Sequence, residues 1–115
     1  MFKNRTYIIV HAGYSESVEN IGTHFDNVEQ FYLYARDESC QSGGIQHGTI
    51  IAGAGHTPTI SKESFAYNKG NVFQYYDEAK DCIFYDIDCG CTFRNKKPDA
   101  KLACIRLEDE KIFYL

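Results

Sequence analysis

The sequence predicts a mixed α/β domain, with a mixed sheet inside and a helix on the outside. Residues 6–13 form a run of β-formers that ends in a glycine, and the hydrophobic period then changes within residues 16–40. Short apolar runs separated by turn-forming residues continue to residue 115, which indicates several further strands. A chain of 115 residues is long enough for one core, so residues 1–115 are treated as a single domain.

The first strand is expected at residues 6–13 and the helix at 26–38. Apolar and aromatic residues recur three and four residues apart between positions 28 and 35. Asp26 is the expected N-cap, with Glu29 three residues later. A turn-rich loop should follow at 41–48, and a long irregular connection at 57–70. The remaining strands are predicted at 49–54, 71–76, 82–91, 102–109 and 111–115, and the last two could form a hairpin.

Composition excludes some classes of partner. The formal net charge is −4, and basic residues are scattered except at 94–97, a predicted loop before Pro98, so no nucleic-acid interface of the usual kind is expected. No apolar run approaches the roughly 20 residues of a membrane helix, and the first ten residues lack the features of a signal peptide. We therefore expect a cytoplasmic protein without a membrane partner.

The five cysteines are expected to be free, buried thiols rather than a disulfide framework, since their number is odd and no secretory signal precedes them. A zinc site is the alternative. Its ligands would be Cys82, Cys89, Cys91 and Cys104, but their spacing lacks the close C-x₂₋₄-C pairs of structural zinc sites.

Two histidines occupy equivalent positions. His11 follows the apolar run "YIIV", and His56 follows "IIAGAG" and precedes Thr-Pro. Ligands of α/β proteins gather at the carboxyl ends of strands, so two imidazoles on adjacent strands could meet at one metal ion. Alternatively, each histidine is a strand-end residue that is satisfied by a backbone carbonyl.

Three further residues could support such a site. Arg36, in "YLYARDE", could hold a phosphoryl oxygen, or it could be an exposed arginine paired with a neighbouring carboxylate. Asp86 and Asp88 alternate with Ile87, so both carboxylates are expected on one strand face. There they could ligate a metal, orient a histidine or lie on a solvated surface.

The order of these segments resembles the C-terminal half of the calcineurin-like metallophosphoesterases, and more narrowly the bacterial and phage serine/threonine phosphatases of the lambda phosphatase type. The segments are "HAG", a helix with "YARDE", then "GHTP", "IDCG" and "LACIRLE", between about residues 6 and 109. The resemblance implies half of an α/β sandwich. It also implies that His11 and His56 ligate a metal, that Arg36 binds substrate phosphate, and that Asp88 is a supporting position, as we also expect of Asp86.

The family's first-half motifs "GDxHG", "GDxVDRG" and "GNHE" do not occur in these residues. The resemblance therefore implies a C-terminal fragment of a phosphoric-monoester hydrolase that is inactive alone. Its cofactor would be a divalent metal, Mn most readily and Fe or Zn otherwise, and the two-metal centre would need the N-terminal half.

The expected partners are a phosphorylated protein or small phosphoester as substrate, together with that N-terminal half or a second copy of the chain. The alternative function is a non-catalytic protein-association module that retains the half-fold. Unpaired strand edges would favour association in either case.

Overall fold

The computed structural model describes residues 5–14, 26–35, 48–53, 56–79 and 81–115. The mixed α/β class is confirmed, although strands dominate and the described residues contain one α-helix. The elements in chain order are β1 (Thr6–Val10), α1 (Val28–Tyr34), β2 (Thr49–Gly53), β3 (Phe73–Asp77), β4 (Cys82–Asp86), a 3₁₀ helix (Cys91–Phe93), β5 (Ala103–Arg106) and β6 (Lys111–Tyr114).

Four strands form a mixed sheet in the order β1-β2-β4-β3. β1 and β2 are parallel, β2 and β4 are parallel, and β3 runs antiparallel to β4. Val10 is in register with Gly53, and Gly53 with Asp86, so β1, β2 and β4 end at the same edge of the sheet. This edge is where the carboxyl ends of parallel strands are available for a ligand.

Each face of the sheet carries a buried cluster, because successive side chains of a strand point to opposite faces. The buried cluster on one face contacts the C-terminal hairpin of β5 and β6. The cluster on the other face contacts residues that follow β1 and β2. The first cluster is Ile50, Val72, Ile83, Tyr85 and Cys89, packed against Tyr7, Ile87, Ala103, Ile105 and Ile112. The second is Ile51, Cys82 and Phe84, packed against Ile8, Val10, Tyr14, Phe65 and Phe73.

The predicted C-terminal hairpin is confirmed, with β5 and β6 antiparallel and Cys104 opposite Phe113. Two tyrosines of the main sheet reach it with their hydroxyl groups. Tyr7 donates to the carbonyl of Leu107 at 3.2 Å, and Tyr85 donates to Oε1 of Glu110 at 2.8 Å. Burial and the Glu110 carboxylate both raise the pKa of Tyr85, so the phenol stays a hydrogen-bond donor at neutral pH.

Several elements are shorter than the sequence predicts, because local hydrogen bonds end them. β1 stops at Val10, since the N–H of Ala12 donates to the carbonyl of Tyr32 at 2.7 Å rather than to a strand. β4 stops at Asp86, whose own Oδ1 accepts from the N–H of Asp88 at 3.0 Å.

The helix differs from its prediction at both ends. Its N-cap is Asn27 and not Asp26, and it ends at Tyr34, where the backbone of Ala35 is no longer helical. Positions 36–38 of the predicted helix and the predicted loop at 41–47 lie outside the described residues.

The irregular connection after β2 is confirmed and is held by backbone hydrogen bonds. The carbonyl of Thr59 accepts from Asn68 at 2.9 Å and from Gly70 at 3.2 Å. Gly70 has φ +81°, and a Cβ there would overlap the carbonyl of Asp99. The chain at 56–70 is thereby packed against 86–99.

Cys82 and Cys89 are free and buried, as expected, whereas Cys91 is half-buried and Cys104 is exposed. Cys82 and Cys89 belong to the clusters on opposite faces of the sheet, which is incompatible with one zinc site for the four cysteines. No helix in the described ranges is long and apolar enough to cross a bilayer.

Candidate functional site

The candidate site lies at the carboxyl edge of the parallel strands. His11 directly follows β1, His56 follows β2 by three residues, and Asp86 ends β4. The three strands are neighbours in the order β1-β2-β4. Residues that are 75 positions apart in the chain are thus placed along one edge of the sheet.

The structure brings the two histidines together. The ring centroids of His11 and His56 are 5.0 Å apart, with an interplanar angle of 64°. A T-shaped contact at this distance is ordinary ring packing. Two imidazoles that share one tetrahedral ion at about 2.1 Å also have centroids roughly 5 Å apart, so the spacing is compatible with a shared first-row metal ion. His11 is exposed and His56 is half-buried, so the pair is accessible from solvent.

A glycine at the end of β2 permits this approach. A Cβ on Gly53 would lie 3.2 Å from the carbonyl oxygen of Ala12 and 3.3 Å from Cζ of Phe84. A larger residue would push the backbone after His11 away from β2. The glycine just before His56, Gly55, lies outside the described residues.

The segment after His56 is anchored to the end of β4. Thr57 and Thr59 are buried, and the N–H of Thr59 donates to the carbonyl of Asp88 at 2.8 Å. The hydrogen bond between Thr59 and Asp88 thus anchors the chain three residues after His56, and this restrains the His56 backbone.

The C-terminal end of α1 supports the histidine pair. The carbonyl of Tyr34 lies 3.2 Å from Nε2 of His56, and the Tyr34 ring stands edge-on to the imidazole at 6.5 Å. A carbonyl can only accept, so Nε2 carries the proton in this hydrogen bond, and in the neutral ring Nδ1 carries the lone pair. For His56 the structure shows the alternative expectation, a strand-end histidine that is satisfied by a backbone carbonyl. The sequence did not indicate that Tyr34 supplies this carbonyl, because a backbone carbonyl leaves no signal in residue identity.

Arg36, the predicted phosphate-binding residue, lies outside the described residues. Ala35, immediately before it in the sequence, is buried in a cluster with Ala12 and Phe31. This cluster joins the end of α1 to the backbone that follows His11.

Asp86 and Asp88 do not share a strand face, which corrects the expectation from their alternation. The strand ends at Asp86, and the two carboxylates form consecutive turns instead. Oδ1 of Asp86 accepts from the N–H of Asp88 at 3.0 Å, and Oδ1 of Asp88 accepts from the N–H of Gly90 at 3.1 Å. Asp86 is 4% exposed, and burial raises its pKa to about 7 despite the opposing Asp88 N–H.

The donor set at this edge is incomplete for a metal ion that takes four or more ligands. Within the described ranges, no three His, Cys, Asp or Glu side chains are grouped so that they could hold a metal ion. The histidine pair supplies two nitrogen donors, which suits part of a Zn, Fe or Mn coordination shell.

Comparisons with known proteins add no assignment. No family model, no curated protein and no solved structure matches this chain.

Proposed function

We propose that this chain carries one part of the active site of a metal-dependent phosphoester hydrolase, in the C-terminal half of a metallophosphoesterase α/β sandwich. The single observation that supports it is the contact between His11 and His56 at the ends of adjacent parallel strands. The resemblance of the sequence assigned metal binding to these two histidines, and a metal site requires them to be close.

In this proposal the imidazoles of His11 and His56 hold a divalent ion, Mn²⁺ first and Fe or Zn as alternatives. Such an ion polarises a phosphoryl oxygen and lowers the pKa of bound water. Arg36 binds the substrate phosphate through its guanidinium. Asp86 and Asp88 act by fixing the turn that holds Thr59, and so support the His56 segment.

The remaining metal ligands would come from a polypeptide that resembles the N-terminal half of the family. The substrate is a phosphorylated protein or a small phosphoester. The isolated chain should bind metal weakly and hydrolyse little, because two neutral nitrogens neither complete a shell nor bridge two ions.

The test combines metal titration with hydrolysis of p-nitrophenyl phosphate. His11→Ala and His56→Ala should each weaken Mn²⁺ or Zn²⁺ binding at least about tenfold. When the chain is mixed with a polypeptide that resembles the N-terminal half of the family, the same substitutions should abolish hydrolysis by the mixture. His47→Ala is the matched control, since the resemblance gives this histidine no role.

Two results together would reject the proposal. They are the absence of hydrolysis in the completed protein and metal binding that is unchanged in both histidine variants.

A second candidate function, a non-catalytic association module, is supported by the edges of the sheet. β1 and β3 each pair on one side, and no other described strand covers their outer edges. Ile9 of β1 is 69% exposed, and Tyr75 and Tyr76 of β3 are also exposed. Such edges favour pairing with another chain.

A further inference from the structure

A cleft of about 570 Å³ opens beside the connection that follows His56. Its walls come from two segments distant in sequence, 58–67 and 93–99, and it contains neither histidine of the candidate site. The volume lies within the range of small-molecule sites, roughly 300–1,000 Å³. The cleft is therefore a separate place where a ligand could bind.

The apolar part of the cleft is formed by rigid side chains. Pro58 and Pro98, the two prolines of the chain, line it together with the aromatic rings of Tyr67 and Phe93. Phe93 is 40% exposed although it is large and apolar. Rings of this kind lose little side-chain entropy when they pack against a bound apolar group.

The charged part of the cleft has two lysines available for an anion. Lys62 and Lys97 line it, and within the described part of the chain neither forms an ion pair or a side-chain hydrogen bond. Glu63 and Asp99 also line the cleft. Glu63 accepts a hydrogen bond from the hydroxyl of Ser61 at 3.4 Å.

The wider surroundings are basic. Segments 58–63 and 92–99 contain four basic and two acidic residues, in a chain whose net charge is −4. The additional basic residues are Arg94 and Lys96, and both are exposed. The charged lining residues themselves balance, as two lysines and two carboxylates, so the excess of positive charge comes from Arg94 and Lys96. This excess favours a negatively charged ligand over a positively charged one.

Contacts within the chain support both walls of the cleft. The carbonyl of Phe93 accepts from the N–H groups of Lys96 and Lys97, each at 2.9 Å. Ile60 occupies the space beside Gly90, where a Cβ would lie 2.6 Å from Cδ1 of Ile60. A preformed site spends little binding free energy on ordering itself.

We propose that this cleft binds a small organic anion with an aromatic or similarly apolar body. The anionic group pairs with Lys62 and Lys97, and the apolar body contacts the prolines and Phe93. The site does not depend on the metal chemistry proposed for His11 and His56.

Three probes separate the contributions of charge and apolar contact. Phenylacetate carries a ring and a negative charge, phenethylamine a ring and a positive charge, and acetate a negative charge alone. Titrations of the ¹⁵N-labelled chain are followed by amide chemical shifts, with EDTA present so that metal bound at the histidines cannot contribute. Phenylacetate should bind with a Kd of about 1–10 mM and shift residues 58–63 and 93–99.

Phenethylamine and acetate should bind at least about tenfold more weakly than phenylacetate. Lys97→Glu and Phe93→Ala should each weaken phenylacetate binding. Lys111→Glu, which changes the net charge equally but lies on β6 outside the cleft, should not.

Three results would overturn the proposal, and none of them requires a variant to fold. They are the absence of shifts in the cleft up to about 50 mM phenylacetate, equal binding of phenethylamine, and shifts confined to residues outside the cleft. Phenylacetate binding at the cleft does not depend on the histidines or on hydrolytic activity. Either proposal can therefore be rejected without rejecting the other.

Discussion

At the scale of single residues, Asp86 combines deep burial with a titratable group. Its side chain lies at the end of β4, and its carboxylate accepts one backbone hydrogen bond. Burial favours the neutral acid more strongly than the Asp88 N–H favours the anion, so the pKa rises from 3.8 to about 7. A folded-state pKa above the unfolded value means that the folded chain binds the proton more tightly.

Asp86 should therefore make stability depend on pH. Its stabilising contribution is fully present below about pH 4 and is lost as the pH rises through about 7. Asp86→Asn keeps an oxygen that can accept from Asp88 and removes this dependence. At pH 8 we expect the variant to be more stable than the wild type, on the order of 1–4 kcal/mol in the free energy of unfolding.

Urea denaturation at pH 5 and pH 8 measures the effect. Asp109→Asn is the control, because Arg106 lowers the pKa of Asp109 to about 2 and its titration lies below this range. If wild type and Asp86→Asn lose stability in parallel between pH 5 and pH 8, Asp86 does not titrate as its burial implies.

The placement of the histidines could be predicted from sequence, whereas their support could not. A strand end is visible as an apolar run that stops, so His11 and His56 could be assigned to one edge of a sheet. The burial of Asp86 depends on which backbone covers it. Whether the carbonyl of Tyr34 is available to His56 depends on where α1 ends. Neither the burial of Asp86 nor this availability is set by local residue identity.

At the scale of elements, the start of α1 shows how two adjacent cap residues compete. Oδ1 of Asn27 accepts from the N–H of Gln30 at 2.9 Å, and Oε1 of Gln30 accepts from the N–H of Asp26 at 2.9 Å. The sequence offers the same arrangement one residue earlier, with Asp26 and Glu29. Asn27 is the residue with extended backbone angles, and it is therefore the cap.

Alanine substitutions distinguish the two positions. Asn27→Ala removes the side-chain acceptor and should lower the free energy of unfolding by about 1 kcal/mol. Asp26→Ala keeps the backbone N–H that donates to Oε1 of Gln30, so it should lower the free energy of unfolding by less than about 0.5 kcal/mol. Urea denaturation at pH 7 compares the two variants, and an equal or larger loss for Asp26→Ala would contradict the observed cap.

Element types were predictable because hydrophobic periodicity reports burial. The positions at which the strands end were less predictable, because a side chain within an apolar run can hydrogen-bond to the backbone and end the strand there. The run at 82–91 continues through Ile87 and Cys89, yet Asp86 and Asp88 divert the backbone into turns. The strands predicted at 71–76 and 102–109 are likewise displaced or shortened in the structure, to Phe73–Asp77 and Ala103–Arg106.

At the scale of the whole molecule, each face of the sheet carries a buried cluster, whereas the outer edges of β1 and β3 pair with no other described strand. The hairpin packs against part of one face, and residues after β1 and β2 pack against part of the other. β1 pairs only with β2 among the described strands, and its Ile9 is 69% exposed. The order of strands in the sheet was not predictable, because it depends on pairings between distant segments.

The exposed edge of β1 should promote association. We expect the wild-type chain to form dimers or larger species at high concentration in size-exclusion chromatography with light scattering. Ile9→Lys places a charge on the edge and should shift the chain toward monomer. Thr6→Lys adds the same charge on an already polar, exposed position of β1 and should have a smaller effect.

A wild-type chain that stays monomeric at all concentrations, with no partner recruited, would count against the association module. Equal effects of the two lysine substitutions would show that net charge, and not the apolar edge, controls association.

If the histidine pair holds an ion as proposed, the pair supplies two nitrogens, and this number has a thermodynamic consequence. If another polypeptide supplies the remaining ligands, the ion and that polypeptide bind cooperatively. The factor by which the ion tightens association must equal the factor by which association tightens the ion. The concentration of free metal would then control whether the two polypeptides are joined, and assembly itself would become a response to metal supply.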